Sequence, residues 1–223
     1  MGISFNSGGS GTASSGASTV TTLSVSGLTC PAGSWVVVFL GTNNTISSQT
    51  IVDNNSNPLT ALSAQQPSVS GFAYVYQVPS TGATGFTANW TTARASSMVV
   101  LNYTGATRAV GQTGGTGTST APSVSNSAAL RDTGSYFVGT MIFASASVTL
   151  GTFTGTGGTV TQRKQLNTGS DRQTAGDVSS LTSLGAGTVQ LSGTLSSSAT
   201  WVGVAVELVG SVSNSLMMMG VGT

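Results

Sequence analysis

The amino-acid sequence predicts an all-β protein, an antiparallel β-sandwich with almost no helix. Apolar segments of about five to seven residues recur roughly every 10 to 14 residues, the spacing typical of antiparallel β-domains. Gly, Pro, Ser and Thr fill the intervals between these segments. No stretch carries a sustained helical period of about 3.6 residues flanked by helix caps.

The longest apolar run of the chain, from Trp35 to Leu40, lies between Gly33 and Gly41. Its β-branched and aromatic residues follow one another without polar alternation, which predicts a strand buried on both faces. A weaker copy of the pattern occurs at 136–143, about one hundred residues later. We expect one central strand of this kind in each half of the chain.

The remaining strands are predicted from shorter apolar or alternating segments between turn residues. In chain order they cover 19–28, 49–62 (a hairpin), 72–78, 86–90, 98–103, 123–127, 135–144, 159–166, 173–181, 188–195 and 201–209.

Segments rich in small residues set the predicted domain boundaries. Residues 1–19 are interpreted as a flexible arm, with Ile3 and Phe5 as apolar anchors for a neighbouring molecule. The arm precedes a sandwich over 20–210, and an apolar tail at 211–223 follows it. The tail residues expected to dock on this subunit or a neighbour are Leu216, Met217, Met218 and Met219.

The sandwich itself is predicted to contain two pseudo-repeated halves, 20–107 and 122–210, joined by a Gly/Thr-rich linker. Three segments of the first half align with the second: 33–35 with 134–136, 86–88 with 189–191, and 99–105 with 204–210. Two small domains or two sheets of one sandwich would both fit this pattern. One shared sandwich is preferred, because a half of about 100 residues would have a thin core.

The low charge of the chain limits its partners. Only 5% of the residues are charged and the net charge is +1, whereas nucleic-acid affinity grows with the number of phosphates that basic residues neutralise. We therefore expect no nucleic-acid partner. No apolar stretch approaches the roughly 18 residues of a membrane span, so no membrane partner is expected either. A weakly charged surface repels its own copies weakly, which favours a homo-oligomer.

The chain contains no histidine, and this removes the commonest general base and the usual zinc ligand. The acidic residues offer no obvious facing pair for glycoside hydrolysis. Glu207 lies between Val206 and Leu208, and its alternation predicts an outward-facing side chain. Arg163 and Lys164 are expected on a solvated strand edge. The sequence predicts no enzymatic activity and no cofactor.

Two weaker signals concern metal and thiol chemistry. Asp53, Asn55 and Asn57 imitate the first ligands of a calcium loop, but the central Gly and the final Glu of such a loop are missing. We expect a hairpin turn there and no metal site. Cys30 is the single cysteine, so no intrachain disulfide can form. A buried, unreactive thiol is the preferred interpretation.

Exposed aromatic rings could stack on sugar rings. Tyr74 and Tyr76 share one face of a predicted strand and are the first candidates for a glycan contact. Packing in the core is the alternative, and their placement among apolar neighbours favours it.

Several motifs together resemble a known family. They are the opening 1–7, the segments 23–26 and 34–38, 74–76 before 79–82, the strand 86–90, the strand end 103–106, and the closing 201–206. In these the chain is similar to bacteriophage virion β-sandwich proteins, a resemblance that spans nearly its whole length.

The resemblance implies a jelly-roll-like sandwich on a phage particle, without catalytic residues to transfer. The function expected from it is a capsid decoration or cement subunit, bound through its terminal arms to like subunits and to a major capsid protein. The start of the chain lacks a Sec-type signal, so a virion surface reached from the host cytoplasm is the expected location. The alternatives are a tail-fibre or receptor-binding module for glycans and a secreted bacterial adhesin.

Overall fold

The prediction of an antiparallel all-β protein is confirmed. The computed structural model describes residues 2–145, 147–167 and 172–210, and these form sixteen strands and no helix. The strands belong to four sheets in which every named pairing is antiparallel. No helix in this part of the chain is long and apolar enough to cross a membrane.

Eight strands form each half. The first half contains β1 (Ser4–Ser14), β2 (Val20–Cys30), β3 (Trp35–Thr42), β4 (Thr50–Asp53), β5 (Thr60–Gln65), β6 (Ser70–Gln77), β7 (Ala83–Arg94) and β8 (Ser96–Thr104). The second half contains β9 (Ala106–Ser119), β10 (Ser123–Ser125), β11 (Tyr136–Phe143), β12 (Thr154–Thr156), β13 (Thr159–Leu166), β14 (Arg172–Ser179), β15 (Gln190–Ser192) and β16 (Ala199–Gly210).

The two halves have the same strand order. The first half has a five-stranded sheet, β1-β8-β3-β6-β5, and a three-stranded sheet, β2-β7-β4. Adding eight to each strand number gives the sheets of the second half, β9-β16-β11-β14-β13 and β10-β15-β12. Within each half the first strand pairs with the eighth, the second with the seventh and the third with the sixth. This is the nested pairing of one long hairpin folded over on itself.

Residue-level register agrees with two of the three predicted segment alignments. Trp35 lies opposite Tyr103 in the first half, and Tyr136 lies opposite Leu208 in the second. These pairs are the ones that the alignments of 33–35 with 134–136 and of 99–105 with 204–210 require.

Four layers of sheet follow one another through the molecule. One core lies between the two sheets of the first half, a second between the two sheets of the second half, and a third between the two five-stranded sheets. The central strand β3 supplies Val36 and Val38 to the first core and Val37 and Phe39 to the third, so it is buried on both faces as predicted. The preference for one shared sandwich was wrong, because each half closes its own sandwich and then buries its larger sheet against the other half.

The segments predicted as a flexible arm and as a linker between the halves are both edge strands. The arm 1–19 contains β1, which pairs with β8, and the linker 108–121 lies mainly within β9, which pairs with β16. Glycine here permits close packing rather than mobility: a Cβ on Gly9 would lie 2.8 Å from the Asn102 side chain, and one on Gly114 only 1.7 Å from the Gly203 carbonyl oxygen. The halves therefore begin at β1 and β9, and the arm and linker assignments are corrected.

Candidate functional site

The predicted anchors of the N-terminal arm lie in internal contacts. Ile3 is 7% exposed and belongs to the core between the halves. The half-buried Phe5 ring meets the Tyr103 ring edge-on at 5.5 Å between centroids, and the Arg163 guanidinium lies 4.5 Å from its centre. Neither residue is a free docking tip, which corrects that prediction. Leu216, Met217, Met218 and Met219 lie outside the described residues.

The two candidate glycan tyrosines pack in the core of the first half. Tyr74 is 3% exposed, and its hydroxyl donates to the Gln49 carbonyl oxygen at 3.4 Å. Tyr76 is half-buried, its ring meets Phe86 edge-on at 6.3 Å, and its hydroxyl donates to Asp53 Oδ2 at 2.8 Å. This arrangement agrees with core packing and leaves no ring pair open for stacking on a sugar.

Asp53 organises the loop that imitates a calcium site. Its Oδ1 accepts the backbone N–H groups of Asn55 and Asn57, each at 2.8 Å, and its Oδ2 accepts the Asn57 amide at 2.9 Å. Burial raises the pKa of Asp53, but the hydrogen bonds from Asn57, Tyr76 and Asn55 outweigh it and hold the pKa below its ordinary value. The Asp53 carboxylate thus accepts hydrogen bonds from its own turn and stabilises that turn. No group of three or more His, Cys, Asp or Glu side chains suited to a metal ion occurs within the described residues.

The one ion pair in the described part of the chain lies between the halves and joins a buried carboxylate to a partly exposed guanidinium. Asp177 on β14 is fully buried, and its Oδ2 accepts the Tyr103 hydroxyl of β8 at 2.8 Å. Arg163 donates from Nε to the same oxygen at 2.5 Å and from Nη2 to Oδ1 at 3.1 Å. We call Tyr103, Arg163 and Asp177 the polar cluster.

A β-bulge places Arg163 in this cluster. The register of β13 against β14 shifts between Gln162 and Lys164, so Arg163 is the extra residue. Bulges redirect a side chain relative to regular alternation, and here the guanidinium turns towards the interface between the halves. The expected solvated edge position is corrected for Arg163. A sequence pattern could not reveal this, since no bulge signal precedes the residue.

Electrostatics keep the tyrosine and the arginine of the cluster protonated at neutral pH. Burial and the neighbouring Asp177 carboxylate raise the pKa of Tyr103 well above its ordinary value. Burial lowers the pKa of Arg163, but its bonds to Asp177 more than offset this and the pKa is raised overall. Tyrosine and arginine therefore both keep their protons. With Tyr103 and Asp177 fully enclosed, the cluster supports structure and offers no open position for a substrate.

Glu207 faces inward, against the prediction of an outward-facing side chain. It is fully buried, and its Oε1 accepts the Arg131 backbone N–H at 2.7 Å. By register it corresponds to Asn102 of the first half, since each lies one residue before the last pair that its strand makes with the central strand. Asn102 is also buried, so alternation here places a polar residue on an interior face in both halves.

Cys30 is a free, buried thiol, as predicted. Its sulfur donates to the Gly9 carbonyl oxygen at 3.4 Å, and burial raises its pKa to about 11. Burial likewise raises the pKa of Tyr74 and of Tyr76 to about 12. A thiol that resists ionisation is a poor nucleophile.

These raised pKa values predict alkaline destabilisation. The unfolded chain releases a thiol proton near pH 8.5 and tyrosine protons near pH 10, while the folded chain holds them to about 11 and about 12. The stabilising contribution is complete below those unfolded values and is lost as the pH rises through the folded ones. We expect the urea midpoint to fall steadily above pH 9. In Cys30→Val the fall should start about one pH unit later, and an unchanged onset would contradict the assignment.

A groove runs along one side of the molecule, where β5 of one larger sheet packs beside β9 of the other. One cleft of about 230 Å³ in it is lined by parts of β5 and β9, including Gln65 and Gln112. A second, of about 300 Å³, is lined by Pro67, Ser68, the end of β9 and Thr200 of β16. The linings contain no charged or aromatic side chain, so the groove suits backbone and hydroxyl contacts.

Comparison with known proteins adds no relative. No family model, curated protein or solved structure gives a significant match to this chain.

Proposed function

We propose that this chain is a structural virion protein of a bacteriophage, a capsid decoration or cement subunit without catalytic activity or cofactor. In this proposal it binds like subunits and a major capsid protein at the virion surface, and it binds neither nucleic acid nor membrane. The nested strand pairing of each half supports the jelly-roll-like sandwich that the resemblance implies.

The observation that carries the proposal is the burial of most acidic side chains. Three of the four acidic side chains that the structure describes, Asp53, Asp177 and Glu207, are buried and serve the fold. On the described residues the accessible surface carries mainly Ser, Thr, Asn and Gly, with a few cations and Asp132. Such a surface repels neighbouring copies weakly and suits dense packing on a particle.

The internal position of β1 changes the mechanism of attachment. An arm that completes a sheet cannot at the same time clasp a neighbour. We therefore assign attachment to the groove between β5 and β9 and to the tail 211–223, whose Leu216, Met217, Met218 and Met219 give an adaptable apolar contact. The body acts as a rigid spacer between these contacts.

Truncation after Gly210 tests the attachment mechanism. Purified particles lacking this protein are incubated with the full-length chain or the truncated chain, and bound protein is quantified after sedimentation. We expect the full chain to bind and the truncated chain to lose at least about tenfold in affinity, about 1.4 kcal/mol. Unchanged binding of the truncated chain would contradict attachment through the tail. Failure of the full chain to bind any particle would contradict the virion function itself.

The glycan-binding alternative loses its two candidate tyrosines in this geometry. Tyr74 is buried, and the Tyr76 hydroxyl is bonded to Asp53, so only loop Asn residues could still serve it. No described feature favours a secreted adhesin.

A further inference from the structure

The interface between the halves brings together two surfaces that are equivalent by the repeat. The edge β1 packs beside β13 and the edge β5 packs beside β9, so exchanging the halves maps the interface onto itself. The chain has the layout of two related sandwiches paired about an approximate twofold axis. Gly105 is the only residue between β8 and β9 and thus the whole connection. Such an arrangement raises the question of what prevents like halves from pairing.

One feature that distinguishes like from unlike halves is the fit of the Ile142 side chain into a depression over Gly41 and Gly71. A Cβ on Gly41 would lie 2.7 Å from Ser97 Oγ of its own half and 2.8 Å from Ile142 Cγ2. A Cβ on Gly71 would lie 2.8 Å from Ile142 Cδ1. Ile142 of the second half therefore occupies space that two glycines of the first half leave free. By register Ile142 is itself the counterpart of Gly41.

This fit distinguishes the possible pairs. Two first halves would place glycine against glycine and leave a void, which loses contact energy. Two second halves would bring Ile142 against Ile142 and overpack the interface. Only a pair of unlike halves places one Ile142 side chain in one depression over Gly41 and Gly71.

The polar cluster is a second, independent answer. Its residues Arg163, Asp177 and Tyr103, with Phe5, have apolar counterparts on the other side of the approximate axis. Register assigns those counterparts as Leu62, which is the extra residue of the equivalent bulge in β5, together with Val75, Leu208 and Ala109. All four counterparts pack in the core between the halves. The same position in the fold is therefore occupied by charged and polar side chains on one side of the axis and by apolar side chains on the other.

Like pairs would break the polar cluster. Two first halves would set the Tyr103 hydroxyl against Leu62 and Val75, where it has no acceptor. Two second halves would set Asp177 and Arg163 against Leu208 and Ala109, without the hydroxyl and the Phe5 ring. Leaving a buried polar group without its partner is costly.

We infer that Ile142 with the depression over Gly41 and Gly71 and the polar cluster form a recognition code by which the first half pairs only with the second half. The partner of each five-stranded sheet is the unlike sheet, and self-pairing of either half is excluded by shape and by charge. This inference does not depend on the virion function.

The test uses the full chain, opened at one place after folding. A protease site in a short Gly/Ser insertion at Gly105 allows the folded chain to be cut between β8 and β9. The cut protein is unfolded in urea, refolded by dilution and analysed by native mass spectrometry, which separates the three pairings by mass. The uncut chain treated in the same way is the control for refolding.

We expect the cut wild-type chain to refold to unlike pairs, with like pairs below about one part in ten. A variant carrying Ile142→Ala, Arg163→Leu, Asp177→Val and Tyr103→Phe should form pairs of second halves at least about tenfold more often. Its new side chains at 163 and 177 copy Leu62 and Val75, so a second half then offers both surfaces that the native apolar side uses.

Two outcomes would overturn the inference. Like pairs in the cut wild-type chain, at a level near the statistical one half, would show that no code exists. If the variant with four substitutions still formed only unlike pairs, these residues would not determine which halves pair. If that variant does not refold, Arg163→Leu with Asp177→Val and Tyr103→Phe, which keeps Ile142, tests the polar cluster alone and should still raise like pairing.

Discussion

Deletion of residues 2–14 should unfold the first half rather than release an arm. The deletion removes β1 and its hydrogen-bonded ladder with β8, and it exposes the Tyr103 ring that Phe5 covers. Burial of Ile3 alone contributes about 2 kcal/mol, and each lost backbone hydrogen bond about 1 kcal/mol. The free energy of unfolding of a whole domain is only about 5–15 kcal/mol. We therefore expect the variant to lose its cooperative unfolding transition in urea, or to melt at a temperature lower by at least about 10 °C.

Truncation after Gly210 is the matched control, since 211–223 has the same length as 2–14. It removes none of the sixteen described strands, so the urea midpoint should stay close to that of the full chain. Near-ultraviolet circular dichroism and urea titration measure both variants. A 2–14 deletion as stable as the full chain would return β1 to the role of a dispensable arm.

The contrast between β1 and β3 explains what the sequence could predict. In β3, burial on both faces requires apolar residues at every position, so the Trp35 to Leu40 run identifies the central strand directly. In β1 and β9, close approach of another chain segment requires small residues, and Gly9 and Gly114 satisfy that need. The same Gly/Ser composition is typical of a flexible linker. Composition alone therefore could not distinguish a tightly packed edge strand from a mobile segment.

The buried charges were hidden for a different reason. Arg163 reaches the interface only because a bulge breaks the period-two alternation, and Glu207 obeys the alternation but lies on a strand whose two faces are both interior. Both facts depend on the packing of four layers, which involves partners far away in the sequence. The repeat could be predicted because it rests on matched segments, whereas the way in which the halves meet could not.

Substitution of Asp177 by Ala should have the largest effect of any single substitution in the polar cluster. It leaves the buried Tyr103 hydroxyl and the Arg163 guanidinium, whose side chain is 20% exposed, without their shared acceptor. Breaking a buried pair by removing one partner costs about 3–5 kcal/mol. Because Arg163 is partly exposed and can regain contact with water, we expect the free energy of unfolding, measured by urea titration at pH 7, to fall by about 3 kcal/mol, the lower end of that range.

The triple variant Asp177→Val, Arg163→Leu and Tyr103→Phe separates this penalty from the net contribution of the cluster. It removes every polar partner together and leaves side chains like those at Val75 and Leu62, which already pack in the same core. Replacing a buried ion pair by packed apolar residues is often neutral or stabilising, so the triple variant should recover most of the stability that Asp177→Ala loses. A triple variant as unstable as the single one would mean that the charges themselves stabilise the fold. Recovery would leave recognition between unlike halves as the reason why one side of the interface is charged and the other is not.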